Sequence, residues 1–119
     1  SKALGAKLCV GCWLESGSDF GDLMSDIKEL CDDDRILCVH FRNVDSPLPV
    51  FEEVLAEDGY ADMYAIMKQL VACDCNAVIS IDHGFKPIEG FGGMPGSFCY
   101  PTGFMKGLIY AAEKELGKR

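Results

Sequence analysis

Apolar and polar positions along the chain follow two alternating patterns. The runs AKLCVGCWL, ILCVHF and AVISI are continuously apolar, which is typical of strands that are buried on both faces. After each run, apolar residues recur at spacings of three and four, which predicts an amphipathic helix. The predicted order is therefore strand then helix, repeated three times, as in a parallel sheet built from βα units.

The first and second predicted helices have clear apolar faces. Ser18 or Asp19 is placed to cap the first helix and Asp62 the second, because short polar side chains accept hydrogen bonds from the free N–H groups of a first turn. A loop containing Pro47 and Pro49 precedes the second helix. The two faces consist of Phe20, Leu23, Met24, Ile27, Leu30 and Cys31, and of Met63, Ile66, Met67, Leu70 and Val71.

A Gly- and Pro-rich stretch from Gly84 to Pro101 predicts a long loop before the third helix. Thr102 is the candidate cap of that helix, and Gly117 lies near its end. The predicted apolar face consists of Met105, Leu108, Ile109 and Ala112.

These elements predict an α/β fold, namely three successive βα units of a (β/α)8 TIM barrel with parallel strands. Units of about 40 residues are close to the usual size in such barrels. Three strands alone would leave bare edges and an uncovered face, so we expect a homo-oligomer or association with a missing part of the barrel. The side chains predicted to lack an opposite wall are Leu8, Val10, Leu37, Val39, Ile79 and Ile81.

Composition excludes several partners. The formal charge of −8 argues against nucleic acid, because phosphate backbones require clustered Lys and Arg. We expect no membrane partner, because no apolar stretch is long enough to span a bilayer. Seven cysteines without a secretory signal suggest reduced thiols and a cytoplasmic location. Cys9 and Cys12 have the spacing of half a zinc site, but no second such pair follows.

Ionisable or soft side chains stand at the ends of all three predicted strands. Cys9 follows AKL, His40 follows ILCV, and Asp82 and His83 follow VISI. Active sites of βα folds gather at the carboxyl ends of the strands, so these side chains are expected to converge. Thiolate, imidazole and carboxylate together are typical of a divalent transition-metal site. We therefore predict a metal site there.

The segments KLCVG, VHFRNV, DGYADMYAIMKQL and IDHG, in this order, resemble the carboxyl-terminal third of the mannonate dehydratases. These are metal-dependent sugar-acid lyases with a xylose-isomerase-like barrel. The resemblance covers nearly the whole chain, so residues 1–119 would be the C-terminal portion of such a domain. It implies dehydration of D-mannonate to 2-keto-3-deoxy-D-gluconate, a step of hexuronate (glucuronate) catabolism.

The resemblance also implies a metal-ligand set. Cys9, His40 and Asp82 would bind Mn²⁺ or Fe²⁺ together with one further His from an earlier strand of the family's barrel. This sequence contains only His40 and His83, so it has no candidate for that fourth ligand.

Catalytic and substrate-binding roles are implied in the same way. His83 matches the family's catalytic His, and Tyr100 falls near the position expected of a catalytic Tyr, although GSFCYP lacks the Arg that family members usually carry close by. Arg42 and Asn43 would bind the sugar-acid substrate. The planar fork of Arg42 suits the substrate carboxylate, and a salt bridge at a strand end is the alternative interpretation.

Two alternatives stay open from the sequence. The chain could be an inactive fragment without catalysis of its own. It could instead be a sugar isomerase or epimerase of the same barrel class, although such enzymes normally use carboxylates and His rather than a Cys such as Cys9.

The acidic residues Glu52, Glu53, Glu57 and Asp58 are interpreted as a solvated surface rather than a second metal site.

Overall fold

A computed structural model describes residues 3–84 and 93–119. They form a three-stranded parallel sheet with helices on one face and a small antiparallel ribbon beside it. In chain order the elements are β1 (Ala6–Cys9), α1 (Val10–Ser16), a 3₁₀ turn (Gly17–Asp19), α2 (Leu23–Asp32), β2 (Ile36–His40), β3 (Asn43–Val44), β4 (Glu53–Val54), α3 (Met63–Ala72), β5 (Val78–Ser80) and α4 (Met94–Glu115).

The sheet has the order β1-β2-β5, with both pairs parallel. Leu8, Val39 and Ile79 lie side by side in register. Because side chains alternate between faces along a strand, this row points to one face and the neighbouring rows to the other. The Leu8 row packs under the helices, where Leu8 and Val39 are almost fully buried. The fold is thus α/β with three successive βα units, as predicted.

The helices α2, α3 and α4 form one layer over the sheet, with α3 in contact with the other two. Their apolar faces close the core, which confirms the periodicity of the first and second predicted helices. Within the described residues, no helix combines the length and the apolar character needed to cross a bilayer. The buried core residues that α2, α3 and α4 contribute are Ile27, Met63, Ile66, Met67, Leu70 and Met105.

The first apolar run contains a helix that was not predicted. The strand ends at Cys9, and α1 follows directly. Val10 and Leu14 are buried at the helical spacing of four, so an apolar run of this length suits a buried helix as well as a strand. The helix passes close to Arg42, since a Cβ built on Gly11 would lie 2.4 Å from the Arg42 Cζ.

The predicted caps of the first helix were also wrong. Ser18 and Asp19 lie in the 3₁₀ turn, and α2 begins after Asp22, whose side chain accepts a hydrogen bond from the Ser25 N–H at 2.7 Å. Phe20 consequently lies before the helix, 56% exposed rather than on its buried face. At the second helix the prediction is confirmed: Asp62 accepts from the Ala65 N–H at 2.9 Å.

The third helix begins much earlier than predicted. Residues 85–92 of the predicted loop lie outside the described residues, but α4 starts at Met94, so Pro101 and Thr102 are inside it. Ser97, Pro101 and Met105 are buried at intervals of four. Packing of this row against the neighbouring elements outweighs the low helix propensity of Gly and Pro, because propensity is a weak influence beside burial.

Two further expectations are corrected by strand geometry. The predicted loop around Pro47 and Pro49 holds the ribbon of β3 and β4, in which Val44 pairs with Glu53. Leu8, Val10 and Val39 do not face a missing wall, because they are buried in the core. Leu37, from the same predicted set, is 59% exposed, and Val78, which was not in that set, is 69% exposed.

Candidate metal centre

Cys9, His40 and Asp82 come together at the carboxyl ends of β1, β2 and β5. Their ligand atoms, a thiol sulfur, an imidazole nitrogen and a carboxylate oxygen, all lie within 4.8 Å of one another. Cys9 is buried, and the other two side chains are half-buried. The His40 Nδ1 is 2.7 Å from the Asp82 Oδ1.

The register of the sheet explains why these three side chains meet. Cys9, His40 and Ser80 are neighbours in one row, on the face opposite the Leu8 row. Asp82 stands two residues beyond the end of β5, and its carboxylate lies beside the His40 imidazole.

The chemistry of the donor atoms fits a divalent transition metal. A thiolate and an imidazole bind such ions firmly, and a carboxylate adds negative charge that balances the cation. Three protein donors leave coordination positions for a further ligand and for substrate, as open catalytic sites require. The residues present are therefore suited to hold a metal ion.

Arg42 is the central cation beside the Cys9, His40 and Asp82 group. Its side chain is only 8% exposed and pairs with the carboxylates of Glu15, Glu53 at 3.1 Å and Asp82 at 3.2 Å. Burial acts to lower the pKa of Arg42, but the hydrogen bond to Glu15 and the attraction of Glu53 outweigh it and raise the pKa. These ion pairs are of the kind that the alternative interpretation of Arg42, a salt bridge at a strand end, expects. Binding of the substrate carboxylate by Arg42 stays a prediction.

His83 lies outside the group of ligand atoms within 4.8 Å. Its side chain is 55% exposed, and its Nε2 is 2.7 Å from the Glu53 Oε2. Glu53 therefore connects His83 to Arg42, and Arg42 connects to Asp82. This chain of contacts links the predicted catalytic His to the candidate metal ligands, and the catalytic role of His83 stays a prediction.

Asn43 is completely buried, and its amide bonds to backbone groups. Its Nδ2 donates to the carbonyls of Ala56 at 2.8 Å and Ala61 at 3.1 Å, and its Oδ1 accepts from the Val44 N–H at 3.0 Å. Gly59 allows this loop to lie directly on the amide, since a Cβ there would be 2.1 Å from the Asn43 Cγ. In the structure Asn43 holds the loop of residues 56–61 in place. Substrate binding by Asn43 stays a prediction.

Tyr100 lies on α4 rather than on a loop. Its hydroxyl donates to the Glu57 carboxylate, a hydrogen bond that raises the pKa of Tyr100. The predicted catalytic Tyr is thus engaged with the acidic loop before α3, and its catalytic role stays a prediction.

Two carboxylates of the site escaped the sequence interpretation. Glu53 was assigned to a solvated surface, yet it is half-buried and contacts both Arg42 and His83. Glu15 pairs with Arg42 from α1. A ribbon strand of two residues shows no periodicity, so the sequence carried no signal for Glu53. No pattern pointed to Glu15, because its contact depends on how α1 packs over the end of β2.

The fold and the site define a class: a βα-barrel-type chain whose adjacent strand ends gather ligands suited to a divalent metal. The family model of D-mannonate dehydratase (UxuA) matches residues 1–115. The chain therefore belongs to the D-mannonate dehydratase family, whose members are metal-dependent hydro-lyases of carbohydrate catabolism.

A solved structure is similar over the same region. Mannonate dehydratase from Streptococcus suis serotype 2 superposes with a TM-score of 0.75 at 26% sequence identity. The match covers 95% of this chain and 34% of that protein, so the chain spans about a third of the length of this relative. No curated protein matches the sequence.

Proposed function

We propose that this chain supplies the metal-binding and acid–base residues for the dehydration of D-mannonate to 2-keto-3-deoxy-D-gluconate. The observation that carries the proposal is the meeting of Cys9, His40 and Asp82 within 4.8 Å at adjacent strand ends, in a chain of the D-mannonate dehydratase family. The neighbouring Arg42 and His83 are groups that the reaction needs.

In this proposal Cys9, His40 and Asp82 hold Mn²⁺ or Fe²⁺. When bound, such an ion would stabilise negative charge on the substrate carboxylate and the neighbouring hydroxyl by several kcal/mol. Cys9 also separates this site from sugar isomerases of the same barrel class, which normally use carboxylates and His.

The dehydration has two demands that protein side chains meet. The C2 proton must be removed by a base, and the 3-hydroxyl must leave as water with the help of an acid. We assign these roles to His83 and Tyr100, each contributing a factor of order 10² to 10⁴. Arg42, held by Glu53 and Asp82, presents a fixed guanidinium beside the ligands and orients the substrate carboxylate.

Metal binding is tested directly on the 119-residue chain. Calorimetric titration with Mn²⁺ should show about one site per chain, and Asp82→Asn should weaken it about tenfold or more by removing ligand charge. Asp33→Asn is the matched control, because it removes the same charge from the exposed end of α2 and should leave the affinity unchanged. Equal affinity in the Asp82 variant would refute the ligand assignment.

Turnover is tested in a chimaera in which this chain replaces the matching third of the Streptococcus suis enzyme. With D-mannonate and Mn²⁺, the chimaera should form a 2-keto-3-deoxy acid, and His83→Ala should abolish turnover while metal stays bound. Loss of metal in the His83 variant would instead identify His83 as a ligand. Product from a different sugar acid alone would overturn the proposed substrate. A chimaera that binds Mn²⁺ yet yields no product from any sugar acid would favour the chain being inactive.

A further inference from the structure

The Glu53 carboxylate bridges two residues of the site. Its Oε1 lies 3.1 Å from an Arg42 terminal nitrogen, and its Oε2 lies 2.7 Å from the His83 Nε2. Each oxygen therefore has its own partner, and the contact with Arg42 is an ion pair, because the Arg42 Nη1 makes no hydrogen bond among the described residues.

The surroundings keep this carboxylate in place. Glu53 is the first residue of β4 and pairs with Val44 of β3. Because Val44 is only two residues after Arg42, the ribbon connects Glu53 and Arg42 through a short stretch of backbone. Arg42 itself is held by Glu15 and by Asp82 at 3.2 Å and is only 8% exposed. Rotation of the Glu53 carboxylate would break its contact with this anchored guanidinium.

His83, by contrast, has little to hold it. Its side chain is 55% exposed, so packing alone leaves the imidazole free to rotate. A neutral imidazole carries its proton on either ring nitrogen, and the hydrogen bond made by one nitrogen decides which. The contact with Glu53 is at the Nε2, and a carboxylate accepts but does not donate when ionised.

We propose that Glu53 is a positioning residue that accepts a hydrogen bond from the Nε2–H of His83. It fixes the ring orientation and the tautomer, and so leaves the Nδ1 as the nitrogen that exchanges protons with the substrate. The proposal rests on the function assigned to His83 above. It follows the general arrangement in which a third group orients an acid–base residue.

Nuclear magnetic resonance of the ¹⁵N-labelled chain tests this proposal without any turnover. Long-range proton–nitrogen spectra distinguish the Nε2–H, Nδ1–H and doubly protonated forms of an imidazole. The chain contains only His40 and His83, and a His83→Gln variant identifies the signals of each. At a pH where the ring is neutral, His83 should be a single Nε2–H form with contacts between its ring protons and Glu53.

Glu53→Ala should convert His83 to a mixture of the two neutral tautomers and remove those contacts. His40 serves as an internal reference, because its Nδ1 is paired with Asp82 and not with Glu53. Glu52→Ala is the matched control: it removes the neighbouring, exposed carboxylate and should leave His83 unchanged. If the alanine variant loses its fold, Glu53→Met keeps a side chain of similar length without an oxygen acceptor and should shift His83 in the same direction.

The proposal is overturned if wild-type His83 is an Nδ1–H form or a mixture, or if removing the Glu53 carboxylate leaves it unaltered. These outcomes are independent of the substrate. A chimaera inactive on D-mannonate together with a single Nε2–H form of His83 would reject the proposed function and retain the positioning contact. In an active chimaera, Glu53→Ala should lower kcat about tenfold or more, with KM and bound Mn²⁺ nearly unchanged.

Discussion

At the scale of single residues, Arg42 holds together the charges around the site. It is buried and pairs with Glu15, Glu53 and Asp82. Removing one partner of a buried ion pair leaves an uncompensated charge, which is strongly destabilising. We expect Arg42→Ala to lower the free energy of unfolding by about 3 kcal/mol, since the three carboxylates keep some contact with solvent.

Urea denaturation measures this change. Lys28→Ala is the control, because it breaks an exposed ion pair with Asp32 on α2 and should change the free energy of unfolding by no more than about 0.5 kcal/mol. Equal effects of the two substitutions would show that the Arg42 contacts contribute little to stability.

A second residue-scale prediction concerns the Cys31 thiol. Burial, together with the neighbouring thiols of Cys75 and Cys73, raises the pKa of Cys31 to about 12. Only the thiolate is nucleophilic, so at pH 8 alkylation of Cys31 should be about a hundredfold slower, or more, than that of the exposed Cys99.

The pH dependence provides the check on this thiol. Because its pKa is raised, the alkylation rate of Cys31 should keep rising about tenfold per pH unit through pH 10, where an ordinary thiol is already ionised. Mass spectrometry of alkylated peptides measures both rates. A Cys31 rate that levels off near pH 9 would contradict the raised pKa.

At the scale of elements, the N-cap of α2 in the structure differs from the one that the sequence pattern predicted. The Asp22 carboxylate accepts from the Ser25 N–H, while Asp19 lies in the preceding 3₁₀ turn. Asp22→Ala should therefore lower the free energy of unfolding by about 1 kcal/mol, as the loss of an N-cap usually does.

Asp19→Ala is the matched control, because it removes the same charge three residues earlier and should leave the free energy of unfolding nearly unchanged. Urea midpoints at a constant m value report both substitutions. A larger effect of Asp19 than of Asp22 would place the helix start where the sequence pattern predicted it.

The ribbon of β3 and β4 is the element that most alters the view of the site. It was predicted as a loop, yet its pairing fixes the backbone of Glu53 beside Arg42. Ribbon strands of two residues are too short to show a periodicity, so only the folded chain reveals them. The same shortness explains why Glu53 was assigned to the surface.

At the scale of the whole molecule, the sheet has an exposed face and two edge strands, β1 and β5. Leu37 and Val78 are more than half exposed, and burying an aliphatic side chain of this size is worth roughly 1.5–3 kcal/mol. We expect the chain to self-associate at micromolar concentration, or to bind a barrel partner, through this face.

Sedimentation velocity tests the association. Val78→Glu should shift the chain toward monomer, because it places a charge on the exposed sheet face. Val50→Glu is the matched control: Val50 is 77% exposed but lies in the loop between β3 and β4, so its substitution should leave association unaltered. A wild-type chain that sediments as a monomer and melts sharply would refute this prediction.

Local chemistry along the chain was sufficient for the main architecture. The spacing of apolar residues and the local composition indicated the parallel βα order, the Asp62 cap and the apolar faces of α2 and α3. Each of these features depends on residues that are close together in the sequence. The convergence of Cys9, His40 and Asp82 was also predictable, since parallel strands place their carboxyl ends at one edge.

Tertiary packing decided the rest. The helix α1 after Cys9, the early start of α4 and the partners of Arg42 all depend on side chains distant in sequence. A buried helix and a buried strand look alike as short apolar runs, and Gly or Pro propensities yield to burial. Ion pairs such as Glu53 with His83 arise only when separate elements meet, so no local pattern records them.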